Sequence, residues 1–217
     1  MVPTWSRLRS PARTGGRFAA LGGTVAGLVL AASSAVLPVA SAEAASATSC
    51  SATTLTQPFV TWSDSNYYSL VPGGSFESGE PAWTLSGGAK VASGSETFAV
   101  TGTLGSSSLA LPAGAVAQSP FTCIEPNDRT LRMFGRSEGS ASSVRVSVVY
   151  QTILGNIPIP VGTAALGSSW APTSTYHTGV LIGALLSEGS VHVAIRLTAV
   201  TGASRVDDVF IDPRMRR

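Results

Sequence analysis

Residues 143–150, SVRVSVVY, and residues 190–197, SVHVAIRL, alternate apolar and polar side chains along the chain. In the first segment the alternate valines share one face of an extended chain, and Arg145 and Ser147 share the other. A period of two is typical of strands with one buried face, which are most common in antiparallel sheets. The two segments therefore predict half-buried antiparallel strands.

Shorter alternating runs extend this pattern. Clusters of Gly, Ser and Pro, such as VPGG at 71–74, separate the runs, and no long helical periodicity interrupts them. The other predicted strands are 82–86, 89–92, 96–101, 107–112, 130–136, 175–185 and 205–212. About nine or ten short strands without intervening helices predict two packed antiparallel sheets, an all-β sandwich.

The N-terminal region has the composition of a cleavable export signal. Four arginines precede an apolar run over residues 18–36, and small residues follow it up to Ala42. This order favours a signal peptide over a transmembrane anchor, and it predicts a secreted, extracellular protein. The predicted segments are a signal peptide at 1–42, an extended lead-in at 43–57, one β-sandwich domain at 58–213 and a basic tail at 214–217.

The charge of the chain depends on this cleavage. Four of the 14 basic residues and none of the 12 acidic residues precede position 43, so the exported chain carries a formal charge of −2. A nucleic-acid-binding protein needs a clustered positive face. The composition therefore predicts no nucleic-acid partner.

Two cysteines, Cys50 and Cys123, remain after cleavage. An even number of cysteines in an exported chain predicts a disulfide bond, here one that ties the lead-in to the middle of the domain. The alternative is a pair of free thiols, but the chain has no C-x-x-C motif to favour a redox or metal role.

Two motifs lie at the two ends of the predicted domain. Residues 74–87, GSFESGEPAWTLSG, match the pattern G-x-F-E-x-G followed by W-x-x-x-G, and residues 206–213 read VDDVFIDP. Together they resemble the first and last strands of galactose-binding-like jelly-roll domains, a superfamily that includes non-catalytic carbohydrate-binding modules. The resemblance spans residues 68–213, and it is greatest to small secreted bacterial proteins in which this domain stands alone. It implies a jelly-roll β-sandwich with a binding function.

The same resemblance implies a structural calcium ion. In those families a Glu of the first strand and an Asp of the last strand often bind Ca²⁺, which prefers hard oxygen ligands. The corresponding residues here are Glu77 with Asp207 or Asp208. The alternative is that these carboxylates are solvated or are paired with Arg205 or Arg196.

Sugar recognition by such modules usually depends on aromatic rings that stack on pyranose faces. The polar segments 61–68 and 168–178 are expected to place aromatic residues on loops at the rim of the sandwich. The candidate ligand-binding residues are Trp62, Tyr67, Tyr68, Trp170 and Tyr176. The alternative for each is a packing role. Trp83 and Phe134 are assigned to the core, and Phe76 is expected to point into the sandwich.

These features lead to a hypothesis of binding to a glycan or a cell-envelope polymer. A second hypothesis is a structural or adhesive protein that recognises other proteins. Five basic residues are also expected to point outward from their strands, namely Arg132, Arg136, Arg145, His192 and Arg196. If their strands are neighbours in one sheet, they form a basic face for an anionic polymer, and otherwise they are a solvated surface.

A hydrolase is the third hypothesis. Residues 135–139, GRSEG, match the G-x-S-x-G motif around Ser137, but a nucleophile elbow requires a following helix and here another predicted strand follows. The available bases are His177 and His192. Paired carboxylates for glycoside cleavage can be named by residue type only, and the candidates are Glu77, Glu80, Glu125 and Asp128. The sequence therefore predicts a protein that is not an enzyme.

Overall fold

The computed structural model describes residues 50–51, 53–78, 83–124, 128–139, 141–152, 154–178 and 191–213. All of these residues belong to one compact unit, Glu43–Arg217. The predicted signal peptide, the first part of the lead-in and the basic tail lie outside the described residues, so their assignments stay predictions. Within these ranges, no helix is long and apolar enough to cross a membrane.

Two antiparallel sheets, sheet A and sheet B, form the predicted sandwich. The strands are β1 (Ser69–Leu70), β2 (Thr84–Ser86), β3 (Lys90–Ser93), β4 (Ser107–Leu111), β5 (Val116–Gln118), β6 (Thr122–Ile124), β7 (Asp128–Ser137), β8 (Ser142–Thr152), β9 (Gly155–Leu166), β10 (Ala171–Pro172), β11 (Tyr176–His177), β12 (Val191–Thr201) and β13 (Ser204–Pro213). Sheet A has the order β10-β7-β13-β4-β3, with β1 also on β13 and β11 also on β7. Sheet B has the order β2-β5-β12-β8-β9, with β6 also on β12.

The period-two segments that predict the fold are the central pair of sheet B. Val193 of β12 lies opposite Tyr150 of β8, and Leu197 lies opposite Val146. All four side chains are buried in the core between the sheets, as the alternation predicts. Burial of one such side chain contributes roughly 1.5–3 kcal/mol relative to exposure, so this pair of strands supplies much of the core.

The opening motif also contributes to the core. Phe76 and Trp83 are 5% and 7% exposed, and their ring centroids lie 5.0 Å apart. Trp83 additionally donates its indole N–H to the carbonyl of Pro72 at 3.1 Å. The predicted packing role of these two rings is confirmed.

A β-bulge in β13 explains the sequence VDDVFID. Val206, Val209 and Ile211 all point into the core, although strict alternation would turn Val209 outward. The register between β13 and β7 shifts between Asp207 and Phe210, and Asp208 at the shift has a φ of 46°. The bulge adds one residue to β13, so Val209 and Ile211 point into the core as Val206 does, and Asp208 stays out of the apolar core.

Several strand assignments differ from the predictions, and residues 179–185 of the predicted strand 175–185 lie outside the described residues. Residues 96–101 form a loop, because the carboxylate of Glu96 accepts hydrogen bonds from the backbone N–H groups of Phe98 and Val100. Strands β1, β5, β6, β9 and β10 were not predicted, and in β9 the residues Gly155, Pro158 and Pro160 interrupt the alternation. Prolines are tolerated there because β9 is an edge strand.

The predicted disulfide bond between Cys50 and Cys123 is present, with the two Cα atoms 5.5 Å apart. The lead-in is attached at a second point that we did not predict. Thr56 and Tyr68 exchange backbone hydrogen bonds of 2.9 and 2.7 Å. The chain between them includes a 3-10 turn, Val60–Trp62. The described part of the lead-in is therefore attached to the domain at Cys50 and at Thr56.

Candidate functional site

The outer face of sheet A carries a second hydrophobic cluster. Phe134 of β7 and Phe210 of β13 point away from the core, and Phe59 and Tyr68 cover them. Phe59 packs on Phe134 in a stacked arrangement with ring centroids 5.4 Å apart. Two outward phenylalanines require such a cover, and segment 59–68 supplies it. Residues 63–67 form a loop as expected, but segment 61–68 lies over the outer face of sheet A rather than at the rim.

Two predicted sugar-stacking residues are buried. Tyr68 has no exposed surface and donates its hydroxyl to Asp64 at 2.7 Å. Tyr176 is 8% exposed and belongs to the core between the sheets. A stacking platform needs an open ring face, so the ligand-binding assignment of these two residues is wrong.

An ion pair holds the covering segment in place. The Arg132 guanidinium lies 2.7 Å from the Asp64 carboxylate and 4.5 Å from the centroid of the Phe59 ring. Its Nε also donates a hydrogen bond to the carbonyl of Thr173 at 2.9 Å. Burial raises the pKa of Asp64, but hydrogen bonds from Tyr68, Arg132 and a backbone N–H lower that pKa by more, so it lies below its usual value. Burial and the nearby Asp64 also raise the pKa of the Tyr68 hydroxyl. The Asp64 carboxylate is therefore charged at neutral pH.

Two of the remaining candidate aromatics, Trp62 and Trp170, border an accessible patch on the same face. Trp62 and Trp170 are partly buried and pack against the outer cluster, while Tyr67 is 47% exposed. Trp62 also contacts Phe98, which is 42% exposed, with ring centroids 4.8 Å apart. The structure thus brings two of the predicted tryptophans to one face and adds Phe98, which sequence reasoning missed.

Charged planar groups flank one of these tryptophans. The Arg136 guanidinium lies 5.5 Å from the centroid of the Trp170 ring. The carboxylate of Glu138 is 3.7 Å from Arg136 and 3.6 Å from Arg205. We call Trp62, Phe98, Trp170, Arg136 and Glu138 the outer-face patch. It combines aromatic surface with planar hydrogen-bonding groups, the combination expected of a carbohydrate site.

The predicted basic face does not exist as one surface. Arg132 and Arg136 lie on β7 of sheet A, whereas Arg145, His192 and Arg196 lie on β8 and β12 of sheet B. Alternation within a strand places each residue on an outward face correctly, but it does not say which strands are neighbours. The five residues therefore divide between the two opposite faces of the sandwich.

A polar pocket lies beside the bulge of β13. It has a volume of about 100 Å³ and is lined by Ser75, Glu77, Ser95, Thr101, Thr103, Leu104, Gly105 and Asp208. A Cβ atom at Gly105 would lie 2.6 Å from Ser95 Oγ and 2.7 Å from a carboxylate oxygen of Glu77, so only glycine leaves this space open. The pocket thus brings together the carboxylates of the opening and closing motifs.

The two carboxylates of the DDV motif have different environments. Asp207 accepts hydrogen bonds from Ser95 Oγ at 2.8 Å and from the backbone N–H groups of Glu96 and Asp208 at 2.9 and 3.0 Å. Burial, together with a smaller contribution from the nearby Glu96, nevertheless raises the pKa of Asp207 to about 7. Asp208, in contrast, lines the pocket. Between the two alternatives for a calcium ligand, the geometry favours Asp208.

Glu77 is held at the start of β4. Its carboxylate accepts hydrogen bonds from the backbone N–H groups of Ser106 and Ser107 at 2.7 and 2.8 Å and from the Ser106 hydroxyl at 2.7 Å. Burial raises the pKa of Glu77, and these hydrogen bonds lower it by more, so that pKa lies below its usual value. Glu77 therefore presents a charged carboxylate at one wall of the pocket.

The donor set of this pocket fits a calcium ion in kind. Two carboxylates and several hydroxyl groups are the hard oxygen ligands that Ca²⁺ prefers, and six to eight of them are normally needed. No group of three or more His, Cys, Asp and Glu side chains that could hold a metal occurs within the described ranges. Backbone carbonyls and water would therefore have to complete the coordination.

The G-x-S-x-G match has no nucleophile geometry. Ser137 is 2% exposed, belongs to β7, and is followed by a bend and by β8 rather than by a helix. His192 lies on the outer face of sheet B, and the predicted carboxylates Glu80 and Glu125 lie outside the described residues. The motif match is therefore part of a strand.

Comparison with known proteins gives no family for this chain. No family model matches this chain, and no curated protein matches it in sequence. The solved structures to which it is similar include carbohydrate-binding modules. The xylan-binding CBM22-1 domain of Paenibacillus barcinonensis Xyn10C aligns at 13% identity with a TM-score of 0.44, covering 67% of this chain and 94% of that chain.

Two Clostridium thermocellum structures align in the same way. The CBM22-1 and GH10 modules of xylanase Xyn10B, complexed with xylohexaose, align at 15% identity with a TM-score of 0.49, covering 70% of this chain and 29% of that chain. A family 11 carbohydrate-binding module, complexed with a mixed-linked tetrasaccharide, aligns at 13% identity with a TM-score of 0.39, covering 63% of this chain and 90% of that chain. Similarity at this level does not assign a ligand to this chain.

Proposed function

We propose that this protein is a secreted, non-catalytic binding module for a carbohydrate or a cell-envelope polymer, and that the outer-face patch is its contact surface. The observation that carries the proposal is the arrangement around Trp170. Its partly exposed ring has a guanidinium 5.5 Å from its centroid, and Glu138 lies 3.7 Å from that guanidinium. Because the guanidinium lies over one face of the Trp170 ring, a sugar would contact the part of the ring that remains exposed, while its hydroxyl groups bond to these planar groups.

The patch also has a rigid support, which a binding surface requires. Trp62 and Trp170 both pack against the buried rings of Phe59, Tyr68, Phe134 and Phe210. The ion pair between Asp64 and Arg132 and the bridge between Thr56 and Tyr68 hold the covering segment. Little conformational entropy would therefore be lost when a ligand orders these side chains.

The test is affinity electrophoresis, in which binding slows the migration of the folded protein through native gels that contain soluble polysaccharides. A pulldown on insoluble cell-wall material accompanies it. We expect retention by at least one of them, and Trp170→Ala should weaken binding about tenfold or more, since a stacked aromatic contributes of the order of 1.4 kcal/mol. Ile157→Ala is the matched control, because Ile157 is a 44% exposed side chain of sheet B. It should bind like the wild type.

Wild-type protein that binds no polysaccharide and no wall material would refute this proposal. If the same patch instead mediates protein–protein contacts, sedimentation will detect an oligomer or a complex that Trp170→Ala disrupts. That result would favour the structural or adhesive function over the carbohydrate function.

We further propose that the pocket beside the β13 bulge holds a structural Ca²⁺ ion. Glu77 and Asp208 would supply the carboxylate ligands, and the ion would neutralise charge where the opening motif, the loop before β4 and the last strand meet. The fit of the donor set and the space left by Gly105 support this proposal.

A further inference from the structure

The outer face of sheet B has a composition unlike that of the outer face of sheet A. Core side chains of β8 and β12 point inward, so Arg145, Arg196 and Thr198 point outward on neighbouring strands. Thr198 lies directly opposite Arg145, and Arg196 lies opposite Ser147. Arg145 and Arg196 are therefore diagonal neighbours on one face, about 7–8 Å apart at their backbones.

The arginines of the two sheets differ in their partners. On sheet A, Arg132 pairs with Asp64, while Arg136 and Arg205 both pair with Glu138. On sheet B, neither Arg145 nor Arg196 has a carboxylate within ion-pair distance in the part of the chain that the structure describes. Arg145 is exposed and Arg196 is partly exposed, whereas the outward side chains of Val149 and Ala194 on the same face are buried. Two accessible guanidinium groups without a carboxylate partner are suited to an external anion.

Arg196 is also held in a defined orientation. Its Nε and one Nη both donate to Oε1 of Gln118, at 3.0 and 2.7 Å, on the neighbouring strand β5. A guanidinium has five N–H donors, so three remain for a ligand. Fixing the plane of the guanidinium in this way reduces the entropy lost on binding.

This face lacks the means to stack on a neutral sugar. The outward side chains described on β2, β5, β8, β9 and β12 include no Phe, Tyr or Trp. They are instead mainly arginine, threonine, serine, glutamine, proline and small apolar residues, together with the exposed His192. A ligand of this face would therefore be recognised through charge and hydrogen bonds, with Thr198 and Gln118 beside the two arginines.

We propose that the outer face of sheet B binds an acidic polysaccharide through the carboxylates of its uronic acid residues. Each carboxylate matches one guanidinium in charge and in planar geometry, and the flanking hydroxyl and amide groups match sugar hydroxyls. A polymer of doubly charged or closely spaced phosphates would need more positive charge than two arginines supply. This surface lies on the other side of the sandwich from the outer-face patch, so the inference goes beyond the function proposed above and does not depend on it.

The experiment uses polygalacturonate as the probe, in native gels and by isothermal titration calorimetry at low ionic strength. We expect binding that weakens as NaCl is added, because exposed charges are screened. Arg145→Ser and Arg196→Gln should each weaken binding about tenfold, the usual effect of losing one charge-assisted contact. Lys90→Ser is the charge-matched control, because Lys90 is an exposed residue of sheet A, and it should bind like the wild type.

A second ligand separates charge from backbone recognition. Fully methyl-esterified polygalacturonate has the same sugar chain without the charges, and we expect no binding to it. Trp170→Ala should retain binding to polygalacturonate, because Trp170 belongs to the outer-face patch of sheet A. Failure of the proposed function and failure of this inference are therefore distinguishable.

Three results would overturn the inference. They are absence of binding to polygalacturonate at low salt, equal weakening by Lys90→Ser and by the two arginine variants, and tighter binding to a polyphosphate than to polygalacturonate. Circular dichroism of each variant shows whether it is folded. If Arg196→Gln does not fold, Arg145→Ser alone decides, because Arg145 is exposed.

Discussion

Val209 donates its backbone N–H to the carbonyl of Gly74 at 3.0 Å, and its own carbonyl accepts the N–H of Val71 at 2.9 Å. This pairing joins the opening motif to the closing motif, which are far apart in the sequence. It depends on the bulge in β13, which gives Val209 its inward position and leaves Asp208 at the pocket. The two motifs are therefore parts of one structural unit.

Gly74→Ala should destabilise this junction. An added Cβ would lie 2.8 Å from the carbonyl oxygens of both Val209 and Val71, closer than such atoms normally approach. We expect the free energy of unfolding to fall by about 1–3 kcal/mol, as for other overpacked sites. Urea unfolding of Gly167→Ala is the control, because a Cβ there meets no atom within 4 Å. Equal stability of the two variants would contradict this account of the junction.

Asp64→Asn should show how the covering segment depends on pH. The pKa of Asp64 is lowered in the folded protein, so its charged form stabilises the fold above the unfolded pKa, near 3.8, and that stabilisation is lost as the pH falls through the lower folded pKa. We expect the variant to be less stable than the wild type by about 2 kcal/mol at pH 7. Urea unfolding between pH 2 and pH 7 should show the difference shrinking below about pH 4. A difference that stays constant over this range would contradict the assignment.

The disulfide bond should contribute strongly to stability. It closes a loop of 73 residues, for which the chain-entropy model gives about 4 kcal/mol. We expect Cys50→Ser with Cys123→Ser to lower the free energy of unfolding by an amount of this order. The wild type measured in dithiothreitol is the control for effects of the serine side chains. Stability unaffected by both treatments would show that the lead-in does not need this tether.

Calcium should raise the melting temperature of chelated protein. At a free concentration 100 times the dissociation constant, one bound ion adds about 2.7 kcal/mol of stability. Glu77→Gln should abolish this increment, while Glu138→Gln should keep it because Glu138 lies at the outer-face patch. The quantity to compare is the rise in melting temperature that Ca²⁺ causes in each variant. The melting temperature without Ca²⁺ is not decisive, because Glu77→Gln also alters the hydrogen bonds to Ser106 and Ser107. If Ca²⁺ gives the wild type no heat of binding and no thermal shift, the proposed ion is excluded.

Several local features could be predicted from the sequence because they depend on residues that are close together in the chain. The inward faces of β8 and β12 follow from the alternation, since successive side chains of a strand point to opposite sides. The burial of Phe76 and Trp83 followed from a motif, and the disulfide from an even number of cysteines. The 96–101 prediction was wrong for a local reason, because the Glu96 carboxylate competes for backbone N–H groups.

The sequence by itself therefore determined that this chain forms strands and which side of each long strand is apolar. It also showed that residues 74–87 and 206–213 carry the opening and closing motifs of one type of domain. Only the tertiary structure decided that Arg136 and Arg145 lie in different sheets, that Tyr68 is covered rather than open, and that Asp208 rather than Asp207 reaches the pocket. The physical reason is that alternation specifies a face within one strand. Which strands are neighbours, and which segment covers an outer face, depends on contacts between residues far apart in the chain.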